Sequence, residues 1–300
     1  MQRFYPWLLV ALLWVVCFLN YADRQAIFSV FPLLKSEMGL TPVQLGFVAS
    51  SFMWMYAVAG PLAGWIADRV SPKTVVLLAL TFWSAITAAT TLCHSFTPLV
   101  VVRALGGLGE AFYFPAAMAL IGAVHSSATR SRAMAVHQSS VYAGTIGGGA
   151  ISAVVAEQYG WRISFLVFGI VGIAFAAVLA FLLRPTAVAG EVKGSSPLSD
   201  FGRGVRAVLG SQRVAVMIAT FMGANFVAVV FLTWLPTFLL EKFHMSLGRA
   251  GINSTVYLQV ASVVGVLLGG VLADRFASRR MGGRQAVQAL GLLGGVPFLF

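Results

Sequence analysis

Gly64-Trp65-Ile66-Ala67-Asp68-Arg69 recurs as Gly270-Val271-Leu272-Ala273-Asp274-Arg275, 206 residues further on. Each copy closes an apolar stretch long enough to cross a bilayer, and six such stretches separate the two. Two six-span halves related by a parallel repeat are one of the plans on which secondary transporters are built, with substrate held near the midplane between the halves. Within each copy the glycine lets a neighbouring helix approach, and Asp followed by Arg offers a charge pair in a short loop. One copy reads equally as a helix stop followed by arginine. Two copies at matching positions favour the repeat.

Composition supports a membrane protein. Hydrophobic residues make up 59% of the chain, charged residues 10%, and the mean hydropathy is +0.89, against roughly 25% charged residues in soluble domains. The net charge of +11 is spread over short loops and forms no basic patch with interleaved aromatics, which argues against nucleic acid.

Spans of about 20 residues, enough for a hydrocarbon core of roughly 30 Å, fall at 7–34, 42–67, 74–94, 98–124, 133–156, 162–184, 212–240 and 251–273, and a ninth begins near 285. The first is too long for a secretory leader, carries Asp23 and Arg24, and lacks a small-residue cleavage site. With the N-terminus inside, the inner loops hold 14 of the 20 Lys and Arg residues and the outer loops 4; Arg24 and Arg103 lie within spans. That bias predicts a cytoplasmic N-terminus. The expected organisation is an all-α polytopic protein with an N-terminal six-helix bundle over 1–184, a cytoplasmic linker over 185–211, rich in Gly, Ser and charge, and a truncated second bundle over 212–300. A chain so divided is not expected to transport by itself.

Four charged residues inside apolar spans direct the functional reading. An ionisable group at bilayer depth costs about 2.5–3.5 kcal/mol even on lenient scales, so such groups usually line a cavity and mark an ion or substrate path. At 1.5 Å per residue, Asp23 lies about 24 Å along its span and Glu110 about 18 Å along its own, both near mid-membrane. Burial and a nearby cation shift a carboxyl in opposite directions, which suits Asp23 and Glu110 to proton coupling. Arg24 and Arg103 offer rigid forks for a carboxylate or phosphate, with Asn20 on the helix face of Arg24. The expectation is that Arg24 binds the anion and Arg103 pairs with an acidic group, with the two roles open to exchange. A static Asp23–Arg24 salt bridge is the alternative, although adjacent helical residues do not face each other.

The glycine-aspartate-arginine loop signature and its second copy resemble the major facilitator superfamily. Asn20-Tyr21-Ala22-Asp23-Arg24, Arg103-Ala104-Leu105-Gly106-Gly107-Leu108-Gly109-Glu110-Ala111, Gly160-Trp161-Arg162 and Phe231-Leu232-Thr233-Trp234-Leu235-Pro236 are similar to its anion:cation symporter branch. The likeness covers nearly all of the chain, with Ser71 in place of the usual loop glycine and Thr129 in place of an acidic residue. It implies proton symport, with sodium as the other possible ion, of a sugar acid or similar organic anion. It also implies substrate contacts at Tyr21, Tyr56 and Asn225 and a cytoplasmic gate of Gly64, Asp68, Arg69, Arg132, Asp274 and Arg275. Gly107 to Tyr113 also resembles the spinster branch, which implies lysolipid or other amphiphile export as the alternative.

Other features carry less. No nucleophile and base constellation, charge ring or filter loop points to an enzyme or a channel. His125 and His137 flank the inner loop before span five and lack the ligand spacing of a metal site. Cys17 and Cys93 read as small buried residues. Gly144, Gly147, Gly148 and Gly149 lack the lysine of a phosphate loop and read as a packing face. Pro236 after Trp234 suggests a kink in span seven, with interfacial Trp as the rival reading. No cofactor is expected, and the carrier is expected to be a monomer in the inner membrane.

Overall fold

The computed structural model describes residues 4–184, 202, 206, 210–277 and 283–295, and all regular structure among them is helical. The chain runs α1 Tyr5–Ser29, α2 Phe31–Met38, α3 Pro42–Ala67, α4 Pro72–Ala89, a short 3-10 turn Thr90–Leu92, α5 Phe96–Ala111, α6 Tyr113–Val124, α7 Ser127–Tyr159, α8 Trp161–Leu182, α9 Gln212–Phe243, α10 Leu247–Ala277 and α11 Gly283–Gly295.

Proline and glycine place the boundaries. The expected first span is two helices, broken at Val30, because Pro32 in the first turn of α2 has no N–H to continue the ladder. Gly39 ends α2 in the left-handed conformation at φ +66°. A capping box starts α3: the Gln44 N–H donates to Thr41 Oγ1 at 3.2 Å and the Thr41 N–H to Gln44 Oε1 at 2.9 Å. The expected fourth span also divides, at Phe112, because Pro115 leaves the Ala111 carbonyl without its usual donor. Span five is longer than its apolar centre suggests and begins at Ser127. Pro236 is accommodated within a single α9 helix.

Seven helical stretches are long and apolar enough to cross a membrane: Tyr5–Ser29, Pro42–Ala67, Pro72–Leu92, Phe96–Val124, Ser127–Tyr159, Trp161–Leu182 and Val214–Phe243. Nine were expected; α10 and α11 are not among the seven on their described residues, and α11 has only 13 residues. The linker expected over 185–211 lies mostly outside the described residues.

Two apolar cores stack along α1. One gathers Leu9, Leu13, Val16 and Cys17 with Leu80 and Trp83 of α4, Tyr113 and Leu120 of α6, and Leu179 of α8. The other gathers Ala26, Ile27 and Phe28 with Phe31, Leu45, Leu99, Trp161, Phe165 and Leu247. Asn20, Asp23 and Arg24 fall on α1 where one core gives way to the other, so a polar layer is held between two dry ones. Large apolar side chains such as Trp54, Leu78 and Phe181 point outward, as a lipid-facing surface requires.

Close approach at glycine sets the helix distances. A Cβ at Gly144 would meet the Phe18 carbonyl oxygen at 2.5 Å, and one at Gly148 would fall on the Ala22 backbone, so α7 lies directly against α1. A Cβ at Gly149 would meet Thr255 Cγ2 at 2.5 Å, which seats α10 against the same helix. The expected packing face on span five is therefore present, and it serves two partners. At the end where α2 lies, α9 and α10 are joined to the preceding helices. Lys35 pairs with Glu241 at 2.7 Å, Gln25 Nε2 donates to the Leu232 carbonyl at 3.1 Å, and the Gly248 N–H donates to Glu157 at 2.9 Å.

Candidate functional site

The polar layer is built from α1, α3 and α5. A Cβ on Gly107 would overlap the Phe52 carbonyl, so only glycine lets α5 lie this close to α3. A Cβ on Gly109 would meet the side chains of Phe82 and Trp83 of α4, the nearest atom at 2.5 Å. These contacts bring Arg103 and Glu110 of α5 against Asn20, Asp23 and Arg24 of α1.

Arg24 Nη2 donates to Glu110 Oε2 at 2.9 Å and Arg24 Nε to the same oxygen at 3.3 Å. Its Nη2 also donates to Asn20 Oδ1 at 3.3 Å. The rings of Tyr21, Phe52 and Tyr56 stand 4.8, 4.9 and 4.8 Å from the guanidinium carbon, an aromatic cage that holds the cation by its faces. The Glu110 side chain is fully buried in this pair and that of Arg24 is 14% exposed. A static bridge to Asp23 is not what Arg24 makes; its partner is 86 residues away on another helix.

Arg103 is also buried, its guanidinium 4.7 Å from the Phe52 ring centre. Its Nε and Nη2 have no hydrogen-bond partner among the described residues. These two N–H groups form one edge of the guanidinium, the edge that grips an oxyanion with two bonds. Asp23 Oδ1 and Glu110 Oε1 are likewise without partners. The charged groups facing Asp23 are Arg103, Glu110 and Arg24, and the Thr87 hydroxyl gives its proton to the Trp83 carbonyl at 2.9 Å. In this conformation the fork of Arg24 is occupied by Glu110 and the Nε–Nη2 edge of Arg103 is open among the described residues.

The remaining expected residues divide. Asn20, Tyr21 and Tyr56 join the cluster through Arg24. Asn225 does not: it is exposed, and its amide donates to the Phe221 carbonyl of its own helix at 2.9 Å. Trp234 packs edge-on against Phe31, 5.7 Å between ring centres, so it joins helices. Of the gate residues, Asp68 caps α3 and is exposed, while Arg69 lies over the Trp65 ring at 4.3 Å and donates to the Trp65 carbonyl at 3.2 Å. A Cβ on Gly64 would meet nothing within 4 Å, so the close approach expected there is absent among the described residues. Arg132 and Arg275 are exposed, and the Asp274 side chain lies outside the described residues.

His137 sits well inside α7, not at its start, and both cysteines are free and buried. No metal-binding group of His, Cys, Asp or Glu occurs among the described residues. Phe52 was missed because an apolar residue in an apolar span carries no signal. Gln25, beside Arg24, is legible as a polar residue inside a span.

The chain matches the Major Facilitator Superfamily over residues 13–300. It is 31% identical over 305 residues to the probable sulfoacetate transporter SauU of Cupriavidus necator, covering 96% of this chain and 71% of that protein. It is 27% identical to the probable galactarate/D-glucarate transporter GudP of Escherichia coli, covering 91% of this chain and 67% of that protein, and 25% identical to the hexuronate transporter of Bacillus subtilis, covering 85% and 61%. Among solved structures it resembles a bacterial homologue of the human lysosomal transporter Spinster, inward-facing and unoccupied, with a TM-score of 0.79 and 25% identity over 98% of this chain and 67% of that one. It also shares the fold of a D-xylose-proton symporter, with a TM-score of 0.72 and 16% identity over 91% of this chain and 70% of that one. A chain with this helical plan, paired charges inside its spans and these likenesses is a multi-pass membrane protein that belongs to the Major Facilitator Superfamily, a family of transporters and not of enzymes.

Proposed function

We propose that the full-length protein is a secondary active transporter that carries a small organic anion, such as a sugar acid or other carboxylate, together with a proton across the inner membrane by alternating access. The buried Arg24–Glu110 ion pair carries the reading. Two guanidiniums and two carboxyls share one layer. With both carboxyls ionised their charges cancel, and the fork of Arg24 is filled by Glu110. A proton on Glu110 frees that fork and leaves a net positive charge, which an anion neutralises. An unbalanced buried charge costs several kcal/mol, so proton and anion are held poorly alone and well together, which is thermodynamic coupling. The open edge of Arg103 is the first contact for the anion, and Asp23, buried in the same layer as Glu110, receives or supplies the proton.

The names of the relatives, which are transporters of sulfoacetate, sugar acids and hexuronate, support an organic anion over an amphiphile. The loop charge bias supports a cytoplasmic N-terminus. The repeat supports two bundles, 1–184 and 212–300, joined by a cytoplasmic linker; nine spans in this chain and a monomeric carrier complete the proposal. The coupling ion is distinguished by driving uptake with a proton or a sodium gradient in turn.

The test is thermal stabilisation of the purified full-length protein by D-glucuronate, D-glucarate, sulfoacetate, glucose 6-phosphate and lysophosphatidylcholine at acid and alkaline pH. Stabilisation by the carboxylates, stronger in acid and lost in Arg24→Ala and Arg103→Ala, is expected. A response to lysophosphatidylcholine alone would sink the organic-anion reading.

A further inference from the structure

We infer that His137 and Tyr113 are positioning residues that set the register of α1 against the α5–α6 break, and so hold Glu110 against Arg24. The inference rests on the reading of that ion pair as the coupling element.

Proton accounting fixes the arrangement. The Tyr113 hydroxyl lies 2.6 Å from the Leu13 carbonyl oxygen, which can only accept, so the one hydroxyl proton points there. The same hydroxyl oxygen lies 2.8 Å from His137 Nε2. With its proton committed to Leu13, the hydroxyl can only accept from the imidazole, so His137 carries its proton on Nε2. The two contacts use the hydroxyl's one donor and one of its acceptor sites.

The placement ties this hydroxyl to the site. A side chain from α6 is thus pinned to the α1 backbone at Leu13, about two turns before Tyr21 and three before Arg24. Tyr113 is the first residue of α6, immediately after the break at Phe112 and three residues from Glu110. A shift of α1 along α6 therefore moves Arg24 relative to Glu110. His137, fully buried on α7 and packed edge-on against Phe114 at 6.0 Å, locks the hydroxyl in place. Its Nδ1 is buried without a partner, an uncompensated cost for a residue whose only role is packing.

The test needs no substrate. A thermal double-mutant cycle pairs Glu110→Gln with His137→Phe, and separately with Tyr113→Phe, in the full-length protein. In the wild-type background Glu110→Gln breaks the ion pair; in either Phe background its effect on the unfolding midpoint should fall to about half or less. His137→Gln, which keeps an N–H donor at the Nε2 position, should restore the full effect. Should one Phe variant fail to fold, the other completes the cycle. Additive effects would overturn the inference, as would a nitrogen-15 spectrum showing the His137 proton on Nδ1. Proton-driven uptake of D-glucuronate is measured separately. If it is absent while the cycle stays coupled, the transport reading fails and the positioning role stands.

Discussion

Arg24 and Glu110 meet through a single carboxylate oxygen: both Nε and Nη2 of the arginine point at Oε2, and Oε1 is left bare in a buried site. A structural ion pair would be expected to fill both oxygens, since a buried acceptor without a donor costs about 1–3 kcal/mol. A carboxyl that exchanges its arginine for a proton in each cycle needs a free oxygen.

Glu110→Gln removes the titratable group and keeps its shape. Uphill uptake driven by a proton gradient should fall to background, while exchange of labelled for unlabelled anion persists, because the neutral amide no longer competes with the anion for the charge of Arg24. Flux in liposomes of the full-length carrier, with and without a gradient, checks this. Unchanged uphill uptake would remove Glu110 from the mechanism.

Arg103→Lys keeps the charge and removes the two-donor edge. Losing one charged hydrogen bond is worth about 1.5–3 kcal/mol, so anion affinity should fall on the order of tenfold to a hundredfold. Calorimetric titration with D-glucuronate measures it. Equal affinity in Arg103→Lys and wild type would place the anion elsewhere, with Arg24 next to be tested.

Packing gives a prediction independent of transport. Gly107→Ala sets a methyl group on the Phe52 carbonyl and Gly148→Ala sets one on the Ala22 backbone, and overpacking of this kind costs about 1–3 kcal/mol. Gly64→Ala meets open space and should be neutral or stabilising, since alanine is favoured over glycine within a helix by about 0.5–1 kcal/mol. Thermal midpoints in one detergent decide the order, and a larger loss at Gly64 than at Gly107 would contradict the packing described here.

The sequence-level signals separate along physical lines. Asp23, Arg24, Arg103 and Glu110 were legible because charge in an apolar span has no cheap explanation, and the glycines of α5 and α7 because small residues govern membrane helix packing. Which arginine meets which carboxyl was not legible. It depends on rotation and register between helices far apart in sequence, and spacing within one helix says nothing of that. The breaks at Val30 and Phe112 lay hidden because hydropathy continues through them, although Pro32 and Pro115 marked both. Asn225 looked like a site residue by resemblance, yet its amide is satisfied within its own helix.

The last prediction concerns the end of the bundle where α2 lies, outside the spans. Glu37 accepts from Trp161 Nε1 at 2.7 Å and is paired with Arg162, which also donates to the Cys93 carbonyl at 3.2 Å. The Arg162 guanidinium, bonded to the carboxylate, holds Glu37 below its ordinary value of 4.5; partial burial opposes this and the Trp161 N–H adds to it. A carboxyl depressed on folding stabilises the native state above its unfolded pKa, and that contribution is lost as pH falls through the folded value. The Glu37 side chain is 48% exposed, so solvent limits the contribution to about 0.5 kcal/mol. The difference in thermal midpoint between wild type and Glu37→Gln should be constant near neutral pH and shrink only below about 4.5. A difference that widened in acid would reverse the sign and rule out the clasp.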